Sequence, residues 1–180
     1  LMAKHMVCLT FDFDVMSGYI ARGMTTPTPI SRGEFGIVGA SRILPLLQAQ
    51  KIPTTWFIPG FTIETYPEAC TEVVQGGHEI GHHGWTHVQP ALLDRAQEES
   101  EMIRANDAIA RLCGQRAQGY RSPAWDLSPH TLELLIQHGF YYESSMMGHD
   151  YSPYRVRQGD VIELQKPMQF GDKTPLIEMP

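Results

Sequence analysis

The sequence has few cysteines, no basic cluster and no long apolar run. Its three cysteines lie far apart, and each falls within an apolar stretch, so we expect buried, reduced thiols at Cys8, Cys70 and Cys113. Fourteen Lys and Arg against twenty Asp and Glu give a formal net charge of -6. No run of Lys or Arg could neutralise a row of phosphates, which argues against a nucleic-acid partner. The apolar runs fall far short of the roughly 18 residues that cross a membrane, so we expect no membrane partner.

Length and composition predict one globular domain, since the chain has 180 residues and 42% of them are hydrophobic. Residues 1–5 have neither the apolar centre nor the cleavage site of a secretory signal. We therefore interpret them as a cloning remnant before a domain of residues 6–180, and we expect a cytoplasmic protein.

Short apolar runs alternate with helical patterns along the chain. Strands are predicted at residues 6–11, 54–58, 78–82, 119–121, 140–142 and 176–179, and helices at 41–50, 66–75, 92–113 and 128–138. Residues 17–39 are rich in Gly, Thr and Pro and predict a long loop after the first strand. The alternation predicts an α/β fold with a parallel sheet, whose ligand sites lie at the carboxyl ends of its strands.

Two acidic residues follow the first predicted strand. In an extended chain, Asp12 and Asp14 share one face, while Phe11 and Phe13 share the other. Paired carboxylates repel each other unless a cation or a proton lies between them, which favours a metal site. A helix cap or a solvated turn is the alternative interpretation of this pair alone.

Residues 77–87 contain four of the eight histidines. His83 and His87 are four positions apart, so one turn could direct both rings at one metal ion. His78 and His82 fall in the predicted strand, which favours packing or hydrogen bonding for them. Two histidines and one carboxylate leave coordination positions open for water and substrate, as in a catalytic metal site. An aspartate beside the metal would then be the natural general base.

Three motifs resemble those of the polysaccharide deacetylase family, also described as the NodB homology domain of carbohydrate esterase family 4. They are Thr-Phe-Asp-Phe-Asp at residues 10–14, His-Gly-Trp-Thr-His at 83–87 and Tyr-Arg-Ser-Pro-Ala-Trp at 120–125. Residues 30–33, 54–60 and 63–68 are most similar to the peptidoglycan deacetylase-like and cyclic-imidase-like branch. The resemblance implies a distorted (β/α) barrel and a metal-dependent hydrolase of non-peptide carbon–nitrogen bonds. Its substrate would be an N-acetylated sugar or a small cyclic amide or imide.

The resemblance also implies roles for individual residues. One divalent metal ion, with zinc as the expected metal, would be held by Asp14, His83 and His87. Asp12 would be the general base, and Arg121 would pair with it and orient it. Pro123 and Trp125 would line the substrate groove, where an aromatic face stacks on a sugar or a flat ring; packing in the core is an equal alternative for Trp125.

The sequence departs from the family pattern at two places. Phe13 separates two aspartates that are usually adjacent, a spacing that fits the imidase-like branch. The spacing leaves open which aspartate is the general base and which is the metal ligand. The family's last motif, Leu-x-His, supplies a general acid and has no counterpart in these 180 residues. We therefore expect an incomplete barrel, which further residues or a partner subunit would close, and a homo-oligomer. His149 is an alternative proton donor.

Two other functions remain open from the sequence. A non-haem iron oxygenase also uses two histidines and a carboxylate, but such enzymes commonly have an antiparallel double-sheet barrel, which the alternation of strands and helices argues against. The second alternative is a metal-binding module without catalytic activity.

Overall fold

The computed structural model describes residues 5–180 and contains one seven-stranded sheet. The order across the sheet is β1-β2-β3-β4-β5-β7-β6. The strands are β1 Thr10–Asp12, β2 Thr55–Ile58, β3 Glu79–His82, β4 Gly119–Tyr120, β5 Tyr142–Glu143, β6 Tyr154–Gln158 and β7 Asp172–Glu178. All neighbouring pairs are parallel except β6 and β7. Four of the five residues interpreted as a cloning remnant lie outside the described range.

Helices connect the parallel strands. They are α1 Ser17–Ile20, α2 Pro27–Gln50, α3 Gly60–Thr65, α4 Pro67–Gln75, α5 Arg95–Cys113 and α6 Thr131–Gln137, with short 3-10 turns at Pro90–Leu92 and Pro123–Trp125. The expected α/β fold with a parallel sheet is confirmed. Among the described residues, β1 and β6 end the sheet and do not pair with each other, so the sheet is open. No helix within residues 5–180 combines the length and hydropathy needed to cross a membrane.

The core is built on β2, whose residues Trp56, Phe57 and Ile58 are almost completely buried. A strand buried on both faces shows a continuous apolar run, and this explains why β2 was predicted nearly to its ends. Helix α5 contributes Met102 and Ile109 to the same core. The buried centre of the sheet thus fixes the strand ends that carry the site.

The predicted loop at residues 17–39 is wrong, because α1 and half of α2 occupy it. Helix α2 begins with Pro27 in its first turn, where a backbone N–H has no acceptor within the helix, so the missing N–H of proline costs no hydrogen bond. Gly33 allows close packing: a Cβ there would lie 2.5 Å from the Cα of Met16. The helix predicted at 41–50 would have placed Pro45 in or near its first turn, but Pro45 lies well inside α2. Packing against the segment after β1 therefore outweighs the weak helix propensity of this sequence.

The first strand begins later than predicted. Pairing with β2 starts where Thr10 aligns with Thr55, while Met6 and Val7 are 90% and 85% exposed. Cys8 is exposed as well, which corrects the expectation of a buried thiol there, whereas Cys70 is buried and Cys113 half-buried. Strand β6 was missed, because its sequence of Tyr, Arg, Val, Arg and Gln has only one buried side chain.

Helix α5 begins three residues later than predicted, at a capping box. The Asp94 carboxylate accepts a hydrogen bond from the Gln97 backbone N–H at 2.9 Å, and the Gln97 side chain accepts one from Asp94 N–H at 3.0 Å. Gly114, with φ of 80°, ends the helix as predicted. The capping box therefore fixes the end of the connection that runs from β3 to α5.

Two buried glutamates face each other across β5 and β7. Glu143 and Glu178 are aligned neighbours, both are fully buried, and the Met146 N–H donates to Glu178 Oε1 at 3.1 Å. Burial, together with the charge of the neighbouring Glu143 carboxyl, raises the pKa of Glu178 to about 10. Glu178 therefore keeps its proton at neutral pH.

We expect the Glu178→Gln variant to be less sensitive to alkaline pH than the wild type. Above the ordinary glutamate pKa of 4.5 the unfolded chain releases this proton while the folded chain keeps it, so stability falls as pH rises towards about 10. The amide needs no proton, so its Tm advantage should grow by roughly 2–4 °C per pH unit between pH 6 and 9. Thermal unfolding across that range measures the effect. Glu72→Gln, at an exposed position of α4, is the control, and a Tm difference independent of pH would contradict the raised pKa of Glu178.

Candidate metal centre

Three potential metal ligands meet at the carboxyl ends of β1 and β3. Asp14 follows β1 by two residues, His83 directly follows β3, and His87 lies in the next turn. The Asp14 carboxylate lies between the two rings, with Oδ1 3.4 Å from His83 Nε2 and Oδ2 3.3 Å from His87 Nε2. One ligand atom from each residue lies within 4.8 Å of the other two. The arrangement is compact enough for one ion.

The chemistry of these atoms fits a divalent metal. Asp14 Oδ1 and His83 Nε2 are buried, and neither has a hydrogen-bond partner among the described residues. Buried polar atoms of folded proteins are nearly always partnered, so this pair of atoms fits the coordination of an ion. Burial lowers the pKa of His83 despite the charge of Asp14, which favours the neutral ring that binds metals. Three ligands also leave positions open for water and substrate.

Hydrogen bonds behind the site orient its histidine. His83 Nδ1 lies 2.6 Å from the carbonyl oxygen of Arg121, so Nδ1 carries the hydrogen and Nε2 is left free to face Asp14. His82 points the other way and packs in the core, where Nε2 donates to Met102 O at 3.0 Å and Nδ1 accepts from Gly84 N–H at 3.2 Å. Burial lowers the pKa of His82 to about 4, so it stays neutral. His82 therefore holds the turn rather than the metal.

The turn that carries His87 has an unusual backbone. Gly84 has φ of 70° and His87 has φ of 63°, a region that costs energy for a residue other than glycine. A Cβ on Gly84 would lie 2.9 Å from Pro123 Cγ, so glycine is also required for packing. The sequence predicts a turn here, but nothing in it indicates the left-handed conformation of His87.

Asp12 has different neighbours from Asp14. Its Oδ1 accepts a hydrogen bond from Arg121 Nη1 at 2.8 Å, and the same nitrogen lies 3.0 Å from Thr10 Oγ1. Arg121 is fixed further by Ser144, whose carbonyl oxygen accepts from Nε at 3.1 Å and whose hydroxyl accepts from Nη2 at 2.8 Å. The Phe57 ring lies beneath the guanidinium, 4.2 Å from Cζ. Thus Asp14 lies with the histidines and Asp12 with the arginine.

Sequence reasoning missed Thr10 and Ser144 as contacts of Arg121. Ser144 is 23 positions away from Arg121 along the chain. Only the pairing of β4 with β5, which aligns Tyr120 with Glu143, brings the two together. No local pattern around Ser144 could have indicated this contact.

The remaining predicted site residues lie in different environments. Pro123 is buried beneath Gly84, so it supports the turn, whereas Trp125 is 64% exposed, which excludes the alternative of core packing for that ring. His149 Nδ1 lies 3.0 Å from Asp150 Oδ1 and accepts a hydrogen bond from Ser152 N–H within its own turn. None of these His149 contacts is with a candidate metal ligand.

A cavity of about 500 Å³ has a lining that includes none of the three candidate ligands. Thr10, Phe57, Arg121 and Ser144 line it. The cavity therefore reaches the residues that hold Asp12 but does not include Asp14, His83 or His87. The candidate metal centre is therefore identified by the ligand atoms of Asp14, His83 and His87 and not by the size of a cavity.

Comparison with known proteins identifies relatives along the whole chain. The polysaccharide deacetylase family matches residues 2–142. The peptidoglycan deacetylase of Helicobacter pylori is 38% identical over 99% of this chain and 66% of its own length. The chain thus spans just under two thirds of this relative.

Solved structures share the fold. A protein of Mycobacterium smegmatis assigned to the polysaccharide deacetylases has 31% identity and a TM-score of 0.78, with 95% of this chain and 56% of that one covered. Puue allantoinase has 24% identity and a TM-score of 0.77, with 96% and 60% covered, and supports the fold alone.

Proposed function

Because the chain belongs to the polysaccharide deacetylase family, we propose that it hydrolyses non-peptide carbon–nitrogen bonds with one divalent ion bound to Asp14, His83 and His87. The observation that carries the proposal is the convergence of three ligand atoms within 4.8 Å, two of the groups having buried atoms without partners. We propose zinc, because two imidazoles and one carboxylate suit its ligand preferences.

In the proposed mechanism, Asp12 acts as general base. When bound, a divalent ion polarises a carbonyl group and makes water more acidic. One oxygen of Asp12 is held by Arg121, which fixes the direction of the carboxylate, so its other oxygen can take the proton of the attacking water. Thr10 and Ser144 fix Arg121 in turn.

We propose an N-acetylated sugar as the substrate, with acetate as one product. The Helicobacter relative, named for peptidoglycan, supports this class at 38% identity, whereas the likeness to allantoinase concerns the fold. The exposed ring of Trp125 supports it as well, because sugars stack on aromatic faces.

A substrate panel tests the proposal. The chain with zinc is expected to release acetate from N-acetylglucosamine oligomers or from peptidoglycan fragments, and a chelator should stop the release. Ring opening of a cyclic ureide without acetate release would show that the substrate is a cyclic amide or imide and not an N-acetylated sugar. Zinc binding with no hydrolysis of either class would favour a non-catalytic metal-binding module. A requirement for oxygen and iron would favour the oxygenase alternative.

A further inference from the structure

A smaller cavity is lined by His87, which is also one of the three candidate metal ligands. It has a volume of about 170 Å³, and we call it the His87 cavity. Its polar lining includes Arg22, His87 and Gln89, and its apolar lining includes Val88 and Leu92. The volume suits a small polar group with a short carbon chain.

His87 offers the cavity a hydrogen-bond donor. A neutral imidazole that binds a metal through Nε2 carries its hydrogen on Nδ1, and such a group normally donates to an acceptor. His83 has this acceptor in the carbonyl oxygen of Arg121, at 2.6 Å. Within residues 5–180, no hydrogen bond is formed by His87 Nδ1, and a Cβ placed on Gly18 would be 3.7 Å from it. The His87 side chain is 19% exposed, so the acceptor is either solvent or a group that fills the cavity.

Arg22 offers the cavity a positive charge. Its guanidinium lies 5.4 Å from the centre of the Tyr19 ring, and within the described range it forms no ion pair with a carboxylate. Arg121, in contrast, is neutralised by Asp12. Arginine recognises carboxylates through two parallel hydrogen bonds. A divalent ion would also outweigh the single charge of Asp14, so an anion near His87 would not be repelled.

We propose that the His87 cavity binds a carboxylate of the substrate, held between the Arg22 guanidinium and the Nδ1–H of His87. The inference rests on the proposed function and narrows it: the substrate is an N-acetylated compound that also carries an acid group, rather than an uncharged polymer. Water could accept the hydrogen bond from His87, but it would leave Arg22 without an anion.

Two sugars that differ by one acid group test this inference. N-acetylmuramic acid is N-acetylglucosamine with a lactyl ether that ends in a carboxylate. Ligand-observed NMR on the zinc-loaded chain is expected to give a Kd for N-acetylmuramic acid roughly tenfold lower than for N-acetylglucosamine, since hydrogen bonds to charged groups are the stronger ones. The Arg22→Gln variant should remove this difference, and Gly18→Ala, which narrows the cavity beside Nδ1, should reduce it.

Arg42→Gln is the matched control, because Arg42 is exposed on α2 and the change in net charge is the same. It should keep the full difference between the sugars. Equal affinities in the wild type, no measurable binding of either sugar, or a preference that survives Arg22→Gln would each overturn the inference. The acetate signal in the same samples reports hydrolysis separately, so failure of the proposed function is distinguishable from failure of the carboxylate site.

Discussion

The Asp14→Ala variant is expected to lose the metal and almost all hydrolysis. Asp14 lies between the two candidate histidine ligands, 3.4 and 3.3 Å from their Nε2 atoms, so its removal takes away the only carboxylate of the set. Bound zinc, measured by plasma emission after dialysis, should fall from about one ion per chain to nearly none. The rate of acetate release should fall by roughly 1,000-fold or more, because both polarisation of the carbonyl and activation of water depend on the ion.

The Asp107→Ala variant controls for the loss of an acidic residue, because Asp107 lies on α5 and pairs with Arg116 at the surface. It should keep both zinc and activity. Circular dichroism of the Asp14→Ala variant should show the wild-type content of helix and strand. Wild-type zinc affinity in that variant would mean that the ligand set is wrong.

The Asp12→Asn variant is expected to bind zinc normally and to hydrolyse its substrate about 100- to 10,000-fold more slowly. Asparagine has nearly the same shape and can still accept the hydrogen bond from Arg121 Nη1, but it cannot take a proton from water. The loss should appear in kcat, with KM little changed, since Asp12 is not among the three clustered ligands.

Zinc content and kinetics measured on the same preparation separate the roles of the two aspartates. Asp107→Asn serves as the control substitution. A rate within a few-fold of the wild type would exclude Asp12 as the base. Loss of zinc from Asp12→Asn would instead show that Asp12 and Asp14 share the metal.

The fold was predictable where burial is uniform and local signals agree. Strand β2 has a continuous apolar run, and α5 ends at a glycine, so both were predicted to within a few residues. Helix α2 was not predicted over its first half, because its prolines and glycines are weak helix formers and its formation depends on packing, including that of Gly33 on the segment after β1. Strand β6 has one buried residue and its position depends on β7, which lies later in the chain.

The candidate metal ligands were predictable because they fall in short motifs directly after strands. Spacing alone did not separate Asp12 from Asp14. Their neighbours do so in the structure, since Asp14 lies between histidines and Asp12 faces Arg121. The hydrogen bond between Ser144 and Arg121 and the left-handed backbone of His87 depend on contacts between distant segments. No pattern in the sequence could indicate them.

Arg121 serves the two halves of the site through different atoms. Its main-chain oxygen holds His83, while its side chain holds Asp12. A substitution at this position removes the guanidinium but leaves the peptide carbonyl in place. In the proposed mechanism, such a substitution would therefore release Asp12 while His83 keeps the acceptor that orients its ring, so loss of the base's orientation is separable from loss of the candidate metal ligands.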